Sequence, residues 1–123
     1  MSETPRLNGF IDAFEKGVPA FSTFIPMDTN SATAISTSKY DGVIFEGEHN
    51  PWDAAALSDS LQYLLNRQQI AASNSIAPAV TPLARVPVNG VEWGQWHAKQ
   101  ALDSGVYVSA WPHISTHADA HNA

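Results

Sequence analysis

Residues 40–51 read YDGVIFEGEHNP, and this stretch sets the pattern for the whole chain. A short apolar run from Tyr40 to Glu46 is typical of a strand, and the polar cluster Gly47 to Pro51 follows at its carboxyl end. Pro51 and Asp53 are start signals for a helix that we predict over Asp53 to Arg67. The apolar face of that helix comprises Ala54, Leu57, Leu61, Leu64 and Leu65. The stretch therefore predicts a unit of strand, polar loop and helix.

The same unit recurs on both sides of this stretch. Upstream we predict a leading helix within residues 1–16, a first strand within 18–27 and a short helix over 32–36. Downstream we predict a loop at 72–75, a third strand at 79–86, a turn at 87–90, a helix at 91–102, a fourth strand at 106–111 and the beginning of a helix in 115–123. Pro82 lies within the third strand and favours a strand entry or a bend, because proline cannot donate to a sheet ladder.

Four such units, with strands that are apolar on both faces, indicate an α/β fold in which helices cover a parallel sheet. Two arrangements use such units: an open doubly wound sheet, or a (β/α)8 barrel of about 250 residues of which this chain would be half. No glycine-rich phosphate loop follows any predicted strand, which weakens the nucleotide-binding version. The 123 residues fit one domain, and no linker or low-complexity tract divides them.

Charge and residue types exclude several classes of function. The chain has 12 acidic residues against 6 Lys and Arg, and its formal charge is -6. This charge disfavours binding to nucleic acid or to an anionic membrane. It has 0 Cys, which excludes disulfides, thiolate metal sites and cysteine nucleophiles. No apolar run approaches the roughly 18 residues of a membrane span, and the first five residues are unlike a signal sequence. We expect a soluble, cytoplasmic protein.

Glu46, Glu48 and His49 form the densest polar constellation. In a parallel α/β fold the carboxyl ends of the strands face the site, so these side chains would converge on a ligand there. An imidazole titrates near neutrality, and a neighbouring carboxylate fixes its tautomer and raises its basicity, which suits proton transfer. The alternative is a solvated polar loop.

Arg85 lies inside an otherwise apolar strand, where a guanidinium is costly unless it meets an anion. Either it leaves the strand end and binds a substrate carboxylate or enolate, or it forms a structural ion pair with Glu46 or Glu48. If Arg85 and His49 lie on adjacent strand ends, they face one cavity.

The remaining histidines are weaker candidates. His113 ends the fourth strand and would either line the same cavity as Arg85 and His49 or belong to a loop. His97 is expected to pack with Trp93 and Trp96. His117 and His121 have the spacing of one helical face, but only Asp119 accompanies them, and we predict no metal ligands in this chain.

Three ordered motifs resemble the HpcH/HpaI aldolase and citrate lyase family. They are DGVIFEGEHNP at 41–51, LARVP at 83–87 and LDSG at 102–105, and the opening GVPAFSTF at 17–24 is also similar to the family's first strand. The resemblance covers about residues 17–123. It implies the amino-terminal half of a TIM barrel, with residues 1–16 as a leading helix and 17–123 as the first four βα units.

The resemblance also implies an activity: carbon-carbon lyase chemistry on 2-keto acids through a pyruvate enolate, with Mg2+ or Mn2+ as cofactor. It implies that His49 handles the aldol proton with a metal-bound water and that Glu46 is its acidic partner. Glu46 stands where the family usually has Asp. Arg85 would bind pyruvate and stabilise the enolate oxygen, and Phe24 would lie near the substrate.

The family's metal ligands follow the fifth and sixth strands, beyond Ala123. We therefore expect this chain alone to be an incomplete aldolase, associating with a second copy or with a missing half, or forming a flatter sheet. The alternatives are a carboxylate-binding module without turnover, and metal-free hydratase or hydrolase chemistry with His49 as base.

Overall fold

Strand β2 (Gly42–Glu46) lies between β1 (Ser22–Ile25) and β3 (Thr81–Arg85), and β4 (Val108–Ala110) extends a parallel sheet of order β1-β2-β3-β4. The computed structural model describes residues 6–88 and 94–123. Its helices are α1 (Gly9–Glu15), α2 (Thr29–Ile35), α3 (Ala54–Leu64), α4 (Arg67–Ser73), α5 (Trp96–Ser104) and α6 (His117–Asn122). A helix follows every strand, as crossovers between parallel strands require, and the predicted α/β fold is confirmed.

The core lies between one face of this sheet and helices α2, α3 and α5. Val43, Phe45 and Ala84 are fully buried at 0% exposure. They pack with Ala32, Leu57, Leu61, Leu64, Val80, Ala101 and Val106. Since successive side chains of a strand point to opposite faces, Glu46 and Arg85 project from the other face of the sheet.

Most helices begin at a side-chain cap. The Asp28 carboxylate accepts the Ser31 N–H at the start of α2, and the Asp53 carboxylate accepts the N–H groups of Ala55 and Ala56 at the start of α3. Such caps satisfy N–H groups that have no partner within the helix. The predicted start signal at Asp53 is therefore confirmed.

The predicted end of α3 is wrong by several residues. Leu65 has extended backbone angles, and Asn66 caps a separate helix, α4, by accepting the Gln69 N–H. Leu65 is consequently 55% exposed and does not share the buried face of Leu57, Leu61 and Leu64. The loop predicted at 72–75 begins later, because α4 continues to Ser73 and ends on Asn74 in the left-handed conformation.

Two further expectations concern β3 and the segment after it. Pro82 is the second residue of β3, close to the predicted entry position, and its carbonyl accepts the Tyr107 N–H at 2.8 Å. The second half of the predicted turn at 87–90 and the predicted beginning of a helix at 91 fall on residues 89–93, which lie outside the described residues.

Helix α1 closes the amino end of the sheet. The Gly9 N–H donates to Thr81 Oγ1 at 2.9 Å, and the Phe10 ring lies so close to Gly42 that a Cβ at position 42 would come within 2.1 Å of it. At the carboxyl ends of the strands, where the polar candidate residues lie, the chain forms loops. Among the described residues, no helix combines the length and apolarity that crossing a bilayer requires.

Candidate active site

Each of the four strands delivers a side chain to one rim of the sheet. Phe24 lies near the end of β1, and Glu46 and Arg85 are the last residues of β2 and β3, directly opposite each other in the strand register. His113 follows the end of β4. Because parallel strands end at the same edge, residues that are 39 positions apart in sequence form a direct contact.

The Arg85 guanidinium is held by two carboxylates. Its Nε donates to Glu46 Oε1 at 3.1 Å, its Nη2 donates to Glu46 Oε2, and its Nη1 lies 3.0 Å from Glu48 Oε2. The two-pronged contact with Glu46 matches the planar geometries of both groups and fixes the orientation of the guanidinium. Of the two sequence interpretations, the structure contains the ion pair with Glu46 and Glu48.

Ion pairing leaves Arg85 capable of binding a further anion. A guanidinium has more N–H donors than these three contacts use. Its side chain remains 24% exposed, whereas those of Glu46 and Glu48 are 10% and 5% exposed. The arginine is therefore positioned by buried acids and reaches solvent at the rim.

The Glu46 carboxylate also shapes the loop that follows β2. Its Oε1 accepts the backbone N–H groups of Glu48 at 2.7 Å and His49 at 3.2 Å. Partial burial by itself raises the pKa of Glu46, but the hydrogen bonds from Arg85 and from these two N–H groups outweigh it and hold the pKa below its usual range. Hydrogen bonding to Glu46 correspondingly raises the pKa of Arg85.

Gly47 permits this tight loop. Its N–H donates to the Arg85 carbonyl at 2.8 Å, and a Cβ at position 47 would lie 2.7 Å from that carbonyl and 2.7 Å from the Trp52 ring. Only a residue without a side chain fits between β3 and the indole. The indole is itself fixed, since Trp52 Nε1 donates to Gln100 at 3.1 Å.

Glu48 lies between Arg85 and two imidazoles. Its Oε1 is 2.9 Å from His113 Nε2, and its Oε2 is 3.4 Å from His49 Nε2. Both imidazole side chains are 70% exposed, so their rings stand at the surface of the site above an almost fully buried carboxylate. This arrangement places two groups suited to proton transfer at the same rim as Arg85.

Phe24 completes the described rim. Its ring centroid is 4.5 Å from the Arg85 Cζ, which is within the range of a cation–π contact. The ring is 50% exposed and covers one face of the guanidinium.

The structure thus brings together all four residues singled out from the sequence, Phe24, Glu46, His49 and Arg85. The predicted contact between the Glu46 carboxylate and the His49 ring is replaced by another one. Glu46 binds the His49 backbone, and the carboxylate that contacts the imidazole is that of Glu48. Sequence reasoning had placed Glu48 in one polar constellation with Glu46 and His49, with a solvated loop or an ion pair to Arg85 as alternatives. It did not assign Glu48 to the imidazole, because nothing in a linear pattern distinguishes two acids separated by a glycine.

His97 has the packing role that the sequence predicts. Its ring stacks on Trp96 with a centroid distance of 3.6 Å and meets Trp52 edge-on at 5.3 Å, while Nδ1 lies 2.9 Å from the Gly94 carbonyl. Trp93, its other predicted neighbour, lies outside the described residues.

The described residues do not fit a divalent metal. They contain no cluster of three or more His, Asp or Glu side chains with ligand geometry. Both carboxylates of the rim are directed at Arg85, and Asp119, which accompanies His117 and His121 on α6, is used in a capping box with Thr116.

The chain is similar in sequence to one curated protein over most of its length. No protein-family model matches the chain. A curated protein named hydroxypyruvate/pyruvate aldolase, from Agrobacterium fabrum, is 28% identical over 110 residues. This chain is similar to an aldolase. The alignment covers 89% of this chain and 36% of that aldolase, so the chain spans about a third of its relative's length.

The similarity extends to the fold. The crystal structure of an HpcH/HpaI aldolase/citrate lyase family protein from Burkholderia cenocepacia superimposes with a TM-score of 0.69 and 24% sequence identity. The match covers 94% of this chain and 40% of that one. The resemblance to the HpcH/HpaI aldolases and the expectation of a partial TIM barrel are therefore confirmed.

Proposed function

We propose that this chain carries the 2-oxo-acid-binding part of an aldolase site that cleaves 4-hydroxy-2-oxo acids to pyruvate and an aldehyde. The observation that supports the proposal most directly is Arg85, which is oriented by two buried carboxylates and still has N–H donors at an exposed rim. The N–H groups that remain are suited to donating charge-assisted hydrogen bonds to the carboxylate of a small acid. The similarity to a hydroxypyruvate/pyruvate aldolase favours a short 2-oxo acid as that ligand.

The residues of the rim are suited to the proton and charge transfers of this reaction. A base removes the proton of the 4-hydroxyl, the C3–C4 bond breaks, and its electron pair forms the enolate of pyruvate while the aldehyde leaves. His49 is the proposed base, since its exposed imidazole lies at the rim beside a carboxylate. Arg85 stabilises the negative charge on the enolate oxygen, and a proton returned to C3 gives pyruvate.

The net charge of the rim also affects the binding of an acid. With neutral imidazoles, Glu46 and Glu48 outnumber the single guanidinium, so an incoming carboxylate meets a net negative charge. Added positive charge should therefore strengthen binding. The Mg2+ or Mn2+ implied by the resemblance would supply this positive charge. Its ligands would have to be groups other than the four carboxylate oxygens that are already directed at Arg85 and the imidazoles.

Binding and exchange measurements on the purified chain test the proposal. Pyruvate binding is measured by calorimetry with and without magnesium chloride, and deuterium exchange at pyruvate C3 is followed by NMR in deuterated solvent. We expect Arg85→Ala to weaken binding at least tenfold, and His49→Ala to abolish exchange while pyruvate still binds. Arg67→Ala, an exposed arginine of α4, is the matched control and should bind like the unaltered chain.

Equal binding by the unaltered chain and Arg85→Ala would refute the proposal. Binding without deuterium exchange at C3 would reduce the proposal to a carboxylate-binding module. The predicted homo-oligomer remains a prediction, and sedimentation equilibrium over a range of concentrations tests it.

A further inference from the structure

Both edges of the sheet lack a neighbouring strand. Among the described residues, β1 pairs with β2 alone and β4 pairs with β3 alone. Each edge strand therefore leaves a row of backbone N–H and C=O groups without a ladder partner, and such a row is a template for pairing with another strand. All the strand pairs are parallel, so the two open edges run in the same direction.

The face of the sheet opposite the helical core carries a row of apolar side chains. The strand register places four of them side by side: Phe24, Ile44, Leu83 and Val108. Phe24 is 50% exposed, and Ile44 and Val108 are partly exposed. The Phe10 ring of α1 reaches this face at Gly42, at the amino end of β2. In a TIM barrel this face is the interior, and the opposite strands supply the side chains that fill it.

The surfaces beside the two edges are also apolar. Just before β1, Val18 and Phe21 are 49% and 63% exposed. At the amino end of β4, Leu64, Pro82 and Tyr107 contribute to the lining of a cavity of about 190 Å³. Contact between a β1 edge and a β4 edge would remove both surfaces from water, which is the main favourable contribution to association.

We infer that two copies of this chain close into one eight-stranded barrel, in which β4 of each copy pairs in parallel with β1 of the other. A twofold rotation about an axis along the strands keeps every strand pointing the same way, so both contacts form together and no edge remains open. Eight strands are also the number at which side chains just fill the interior of a barrel. Contact between two β1 edges or two β4 edges would leave the other two edges unpaired.

The register of the sheet predicts which residues meet. The row through Glu46, Arg85 and Ala110 continues to Pro26, one residue beyond β1. The shear of a TIM barrel, about eight residues over eight strands, offsets this row by about four residues for each copy. Ala110 would consequently lie beside Ser22 of the second copy. Both residues are small, and both point to the face that becomes the interior.

The closure would also bring the two rims together. Because the twofold axis runs along the strands, the carboxyl ends of all eight strands lie at one mouth. Arg85 of each copy would then face the rim of the other across that mouth, and the site would be built from both copies. The inference depends on the edges and the open face of the sheet, and it is independent of the proposed reaction.

Cysteine cross-linking of the full chain tests this arrangement, because the chain has 0 Cys and each introduced thiol is unique. Ser22→Cys and Ala110→Cys are made in separate chains, refolded together from urea and treated with a short bismaleimide, whose span tolerates an offset of one or two residues. We expect the mixture to give a covalent dimer. Each variant alone should give none, because like positions lie on opposite sides of the barrel. Ser73→Cys, exposed on α4, is the control and should not link to Ser22→Cys.

A charge on the enclosed face provides a second readout. Sedimentation equilibrium should show the unaltered chain as a dimer. Val108→Lys places an ammonium group in the barrel interior and should raise the dissociation constant of the dimer at least about tenfold. Tyr63→Lys, at a position of α3 that is 57% exposed, should leave it unchanged. If circular dichroism shows that Val108→Lys is unfolded, the cross-linking result decides.

A monomer at every concentration, or a polymer without a limiting size, would overturn the inference. Self-linking of Ser22→Cys or Ala110→Cys would overturn it too, since like edges would then meet, and so would a dimer whose mixed variants do not link. None of these measurements uses a ligand. Absence of pyruvate binding therefore leaves the inference in place, and a monomer that binds pyruvate leaves the proposed function in place.

Discussion

Replacing Arg85 with methionine should destabilise the protein strongly at neutral pH. Methionine keeps much of the length of the side chain beneath Phe24 but removes the guanidinium, which leaves the carboxylates of Glu46 and Glu48 side by side. Their side chains are only 10% and 5% exposed, so water cannot replace the lost partner. Breaking a buried ion pair costs about 3–5 kcal/mol, and the partial exposure of Arg85 lowers the expected loss to about 2–4 kcal/mol.

The penalty should diminish in acid. The hydrogen bonds from Arg85 and the loop N–H groups hold the pKa of Glu46 below its usual range despite its burial. A lowered folded-state pKa contributes stability that is present above the unfolded-state value, about pH 4.3, and is lost as pH falls through the folded-state pKa. In Arg85→Met this contribution is missing, so the stabilities of the two proteins should converge as the pH falls below about 4.3.

Urea unfolding followed by the fluorescence of the 4 Trp residues measures this difference at a series of pH values. Arg67→Met removes an exposed arginine and should change the free energy of unfolding by less than about 0.5 kcal/mol. In a Glu46→Gln background the Arg85→Met penalty should fall by about 1–2 kcal/mol, because one of the two unpaired charges is absent. A loss below about 0.5 kcal/mol at pH 7, or a penalty that grows on acidification, would refute this account of the rim.

Substitutions at Gly47, Leu57 and Asp53, with matched controls, test the scaffold of the site by the same unfolding assay. Gly47→Ala should cost about 1–3 kcal/mol and shift the Trp52 emission, because the new methyl group meets the indole; an unchanged spectrum with unchanged stability would contradict the packing described. Leu57→Ala should lower the free energy of unfolding by about 2–5 kcal/mol, since Leu57 is 0% exposed. Leu65→Ala should lower it far less, because Leu65 is 55% exposed. Equal losses would mean that the buried face of the helix is assigned incorrectly. Asp53→Ala removes the cap of α3 and should cost about 1 kcal/mol, which Asp53→Asn should largely avoid.

The sequence predicted the strands better than it predicted the helix ends. An apolar run of a few residues bounded by glycine and proline defines a buried strand well, and β2 and β3 lie within their predicted ranges. The end of α3 was misplaced because Leu65 continues the apolar spacing of Leu57, Leu61 and Leu64. The break there depends on Asn66 capping the next helix, a local choice that hydrophobic periodicity does not register.

By itself, the sequence determined that parallel strands alternate with helices, and that Phe24, Glu46, His49 and Arg85 belong near the ends of the strands. These properties depend on the order of apolar and polar residues along the chain. Only the tertiary structure decided the pairing: Glu46 holds Arg85, and Glu48 contacts both imidazoles. The pairing of each carboxylate with its partner depends on strand register, on the tight loop at Gly47 and on the positive φ of His113. The spacing of residues along one strand does not encode distances of a few ångströms between two strands.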